Sequence, residues 1–109
     1  MIKIKLFVGD IELGYLTEID KGYVFSANKT KIAKAKKEYP IQMRRFELNE
    51  RDMGLYKNIP SIFDEFVSCQ NRADIIEKAG LEPTDSEFEK LYKIAGLDFF
   101  TNAFNIKQG

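Results

Sequence analysis

The sequence predicts an α+β domain, a small antiparallel sheet with about three short helices packed on one side. Apolar residues recur with period two over the first 27 positions and with helical spacing from Pro60 to Ala95. Strands thus precede helices in the chain, an order that gathers the helices on one side of a sheet. With 109 residues there is room for one core and one domain, spanning 1–109.

Each element follows from local pattern. Ile2, Ile4 and Leu6 alternate with Lys3 and Lys5, the signature of a strand with one buried face. Gly9-Asp10 is a turn pair, and Ile11, Leu13 and Tyr15 form the apolar face of a second strand, paired to the first as a hairpin. Asp20-Lys21-Gly22 turns the chain again, into a third strand at Tyr23–Ala27. Asn28 to Tyr39 is lysine-rich and reads as an exposed loop or short helix ending before Pro40. Ile41, Met43, Phe46 and Leu48 suggest a fourth strand, with a bulge or strand end at Arg44-Arg45. Pro60 and Ser61 open a helix carrying Ile62, Phe63 and Phe66. Ala73, Ile75, Ile76 and Ala79 form a second helix, closed by Gly80. Phe88, Leu91, Tyr92 and Ala95 mark a third, stopped by Gly96. Beyond it Phe99, Phe100, Ala103, Phe104 and Ile106 are apolar without a deciding period.

Composition excludes several chemistries. Hydrophobic residues are 44% and charged residues 31%, which places the chain among globular rather than disordered sequences. Without histidine there is no Ser-His-Asp or Cys-His pair and no imidazole metal ligand. Cys69 is alone and forms no internal disulfide, which suits a reducing compartment. No apolar run approaches the ~20 residues of a membrane span, and the alternating N-terminus is unlike a signal peptide. A cytoplasmic location is expected.

No phosphate-binding glycine loop is present. Asp64 and Glu65 are adjacent and diverge by about 100° on a helix, so they make no acid/base pair. Cys69 has Arg72 nearby but no base to activate it. No catalytic set is identified, and neither a cofactor nor a metal is expected. The 17 basic and 17 acidic residues balance, but unevenly: residues 1–57 carry a net +4 and residues 58–109 a net −4. Lys29 to Arg45 holds seven basic residues and one acid. That segment supports an alternative reading as a nucleic-acid-binding accessory protein, although only Tyr39 and Phe46 accompany it as aromatics. Nine Phe and five Tyr are many for so small a core, and aromatic side chains often anchor interfaces.

The order of these motifs resembles the N-terminal domain of HipA-like kinases, the serine/threonine kinase toxins of bacterial toxin–antitoxin systems. Ile11-Glu12-Leu13-Gly14-Tyr15-Leu16 resembles the family's valine-Gly-x-Leu strand, and Gly22-Tyr23-Val24-Phe25-Ser26 its Gly-x-x-Phe-x-Tyr strand, with Ala27 near where a Tyr is usual. Pro40-Ile41-Gln42-Met43 is similar to its proline-led strand. Asn58-Ile59-Pro60-Ser61-Ile62-Phe63 resembles its Leu-Pro-x-x-Phe helix start, with Arg72 as the arginine that follows. Glu87 to Asp98 resembles its Phe-x-Leu-Leu-x-x-x-Gly-x-Asp helix and exit, and Ala103–Ile106 stands where its closing strand lies. Phe66-Val67-Ser68-Cys69-Gln70 replaces the usual Leu-Pro-(Glu/Asp)-Gly.

The resemblance spans Ile2 to about Ile106 and leaves out the kinase's catalytic portion. It implies a stand-alone HipS-like antitoxin that binds and neutralises a shortened, HipT-type kinase, alongside a HipB-like DNA-binding protein. A fragment of a longer kinase fits the same residues. The expected partner-binding residues are Tyr56, Ile62, Phe63 and Phe66, with Asp64 and Glu65 at the rim. They rest on the excess of aromatics and on the helix that the family uses near its kinase.

Overall fold

The computed structural model describes residues 2–46, 55–97, 100–101 and 104–109. It is an α+β arrangement built on one antiparallel sheet. The strands are β1 (Ile4–Val8), β2 (Ile11–Ile19), β3 (Gly22–Ala27), β4 (Leu55–Tyr56), β5 (Phe100–Thr101) and β6 (Phe104–Gln108), in the spatial order β4-β3-β2-β1-β6-β5. The opening meander is as predicted, and β6 resolves the apolar tail, whose period left helix and strand open, as a strand. β6 pairs with β1, so the two ends of the chain meet in the middle of the sheet, sealed by the Gly109 amide donating to the Lys3 carbonyl at 2.9 Å.

Alternation holds in β1, where Ile4, Leu6 and Val8 are wholly buried. It breaks in β2. Leu6 faces Gly14 but Phe7 faces Glu12, so Leu13 is an extra residue, a bulge that reverses the phase of the strand. Ile11 points inward before it, Leu13 within it and Leu16 after it. Tyr15, expected on the core face, therefore turns to the other side of the sheet, where the Lys3 ammonium lies over its ring at 4.5 Å. Gly14 permits the bulge: its φ is +154°, and a Cβ there would run into the Ser26 carbonyl and the Phe25 ring.

The helices are α1 (Lys29–Glu38), α2 (Pro40–Met43), α3 (Asp64–Ser68), α4 (Ala73–Ala79) and α5 (Glu87–Ala95), with single 3₁₀ turns at Ser61–Phe63 and Cys69–Asn71. The lysine-rich segment is a true helix. The Asn28 side chain caps it by accepting from the Lys31 amide at 3.1 Å, and Ile32 and Ala35, three apart, supply its buried stripe. The expected fourth strand at Ile41–Leu48 is corrected. Residues 40–43 are helical, with the Met43 amide donating to the Tyr39 carbonyl at 2.9 Å and Met43 facing the core; residues 47–48 lie outside the described residues. Pro40 lacks an amide hydrogen, a defect in a ladder but harmless at the first position of a helix.

The three later helices fall where expected. Gly80 ends α4 in the left-handed conformation, and the Leu81 amide closes the cap on the Ile76 carbonyl at 3.0 Å. Ser86 caps α5 through the Glu89 amide, and Phe88, Leu91, Ile94 and Ala95 are buried. Gln108 donates to the Tyr92 carbonyl at 3.0 Å and ties β6 to α5. All the buried apolar residues form one continuous core between the inner sheet face and the helices. Among the described residues no helix is long and apolar enough to cross a membrane.

Candidate functional site

The residues predicted to bind a partner do not lie on one surface. Phe63, the last residue of the Ser61–Phe63 turn, and Phe66, three on in α3, both face inward; they are 0% and 1% exposed. Phe63 meets Phe25 with ring centroids 6.2 Å apart. These two rings are core, which corrects their assignment as anchors. Their aromatic character gave no sign of direction, and only the packing of the Ser61–Phe63 turn onto β3 and of α3 onto α5 fixed it. Tyr56 and Ile62 are half-buried and pack against the core. Asp64 is exposed, and Glu65 accepts from the Arg45 guanidinium at 2.8 Å, joining the end of α2 to α3. Cys69 is buried and its thiol donates to the Glu65 carbonyl at 3.1 Å, a core position.

The large apolar side chains that do meet solvent were missed. Ile41 on α2 is 72% exposed and Leu55 on β4 is 58% exposed, the two highest values among the described large hydrophobics. A helix of four residues turns only one position, Met43, to the core, which leaves Ile41 outside. Leu55 pairs with Val24 and shares its outer side of the sheet, while Tyr56, paired with Tyr23, turns in.

The basic segment 29–45 is not one patch. The lysines of α1 are exposed around its solvent side, Lys34 pairs with Glu38 at 3.9 Å, and Arg45 is engaged with Glu65. A second cationic surface lies on the outer sheet face. Lys3, Lys5 and Lys107 stand there with Phe7 and Tyr15; Lys5 pairs with Glu12 at 3.7 Å, and Lys107 lies over the Phe7 ring at 5.1 Å. Phe7, Tyr15 and Val24 are half-buried but lie outside the hydrophobic cluster, so no described helix covers this face.

Two polar sites brace the helices. Asp85 accepts from Lys93 at 2.6 Å and from the Glu82 amide at 2.9 Å, and Lys93 also donates to the Gly80 carbonyl at 3.2 Å. The Lys93 hydrogen bond holds the Asp85 carboxyl below its ordinary range, and the same bond raises Lys93. Burial, then the nearby Glu18 and Glu87 carboxylates, raise the Tyr23 phenol, whose ring packs on Phe88 at 5.9 Å. Among the described residues no cluster of three or more acidic or cysteine side chains is placed to hold a metal ion.

No family model matches the chain, and neither a curated protein nor a solved structure matches it.

Proposed function

We propose that the protein is a non-enzymatic binding subunit, a HipS-like antitoxin that docks on a HipA-like serine/threonine kinase and neutralises it in the cytoplasm, beside a HipB-like DNA-binding partner. The sequence resemblance supplies the kinase. The observation that carries a binding role is the pair of exposed apolar side chains, Ile41 and Leu55, on elements that flank residues 44–54. Bare apolar surface of this kind becomes favourable when a partner removes it from water. Near Ile41, the Arg45–Glu65 ion pair ties the end of α2 to α3, on which Asp64 is exposed. Neutralisation needs only that the subunit bind the inactive kinase more tightly than the active one.

The test is calorimetric titration into a HipA-like kinase that lacks this domain, with autophosphorylation as the second readout. Ile41→Asp and Leu55→Asp are expected to weaken binding about tenfold or more, since a charge forced into an apolar contact loses its hydration. Their melting temperatures should stay near that of the parent, because both sites are exposed. Absence of binding by the parent protein overturns the kinase reading, and unchanged affinity in both variants overturns the surface.

A further inference from the structure

We propose a second activity, independent of the kinase reading: the outer face of the sheet binds single-stranded nucleic acid, with Phe7 and Tyr15 as stacking platforms and Lys3, Lys5 and Lys107 as phosphate contacts. The two rings stand on β1 and β2, the central strands of the sheet. Tyr15 pairs with Lys5, two residues from Phe7, so the rings are diagonal neighbours. Such neighbours lie about 7–8 Å apart, within reach of consecutive splayed bases. Neither ring takes part in the core, and the bulge at Leu13 is what brings Tyr15 to this side.

Charge selects the occupant. The chain as a whole is neutral, yet this part of the face gathers three lysines against Glu12, which Lys5 already matches. The ammonium groups of Lys3 and Lys107 now sit over Tyr15 and Phe7. A base stacking on each ring takes that place, and a lysine on its flexible stem swings to the adjoining phosphate. A duplex presents its bases already stacked and paired, so rings on a sheet favour unpaired strands.

The test is fluorescence anisotropy of a labelled single-stranded oligonucleotide of about a dozen nucleotides, starting at low salt, with a duplex of the same sequence beside it. The proposal expects the single strand to bind more tightly than the duplex. Three phosphate contacts give a slope of log affinity against log salt near −2, and Lys107→Gln should reduce it by about 0.7. Phe7→Ala and Tyr15→Ala should each weaken binding by roughly 5- to 150-fold. Phe7→Leu and Tyr15→Leu keep apolar bulk on the strands and should lose nearly as much, which separates stacking from any loss of fold. The proposal is overturned if the parent protein leaves the oligonucleotide unbound at low salt, if duplex binds equally well, or if only charge substitutions matter. It is also overturned if the ring substitutions spare oligonucleotide binding and abolish kinase binding, for the face is then a protein interface.

Discussion

Truncating Phe63 to alanine separates a core role from an interface role. The side chain is wholly buried, so its loss removes a ring that touches no solvent. A phenylalanine buries about 150–250 Å², of which about two thirds goes on truncation; at about 25 cal/mol/Å² this amounts to about 3 kcal/mol. The lost ring contact with Phe25 adds about 1 kcal/mol. The expected total of about 4 kcal/mol falls within the range of about 3–5 kcal/mol for such truncations. It is a large share of the roughly 5–15 kcal/mol that holds a domain folded. In urea, with a slope of about 2 kcal/mol per molar, the midpoint should fall by about 2 M. On heating, the same loss lowers the melting temperature by roughly 15–30 °C. Far-ultraviolet circular dichroism reads the transition without tryptophan, which the chain lacks. A loss below about 1 kcal/mol at unchanged slope would refute the inward placement of this ring and restore Phe63 as a candidate anchor.

Gly14→Ala should lose more stability than Gly80→Ala. Both residues have positive φ, but a Cβ at Gly80 meets nothing within 4 Å, whereas one at Gly14 meets backbone and a core ring. Each change carries about 1–2 kcal/mol of backbone strain, and Gly14→Ala adds about 1–3 kcal/mol of overpacking; equal urea midpoints would contradict the bulge geometry. Lys93→Met should show a stability deficit that depends on pH. Asp85 is depressed below its ordinary 3.8, so its contribution is full above that value and fades as pH falls through the folded pKa. Lys93 is raised above 10.5, so its contribution is full below that value and fades as pH rises through the folded pKa. The deficit should therefore be largest between these limits. A deficit that stays constant from neutral to about pH 2 would mean that the pair does not contribute through charge.

Local pattern was enough for the meander, the three later helices and their ends. Turn glycines, Pro60, Ser86 and Gly80 act within a few residues of themselves, and the period of β1 needs only one buried face. The lysine-rich helix was half legible, because a stripe of two buried residues, Ile32 and Ala35, is too thin to outweigh five exposed lysines. The strand expected at Ile41–Leu48 failed because a short apolar alternation beside a proline is equally compatible with one helical turn.

What the sequence determined by itself was therefore the kind of element at most positions and the α+β class that their order imposes. Direction was decided only in three dimensions. One extra residue at Leu13 turned Tyr15 away from the core, the docking of the Ser61–Phe63 turn on β3 and of α3 on α5 drew Phe63 and Phe66 inside, and the pairing of β6 with β1 gathered Lys3, Lys5 and Lys107 on one face. Hydrophobicity tells a side chain to leave water without saying which of two sides will take it in, and that choice belongs to contacts between residues far apart in the chain.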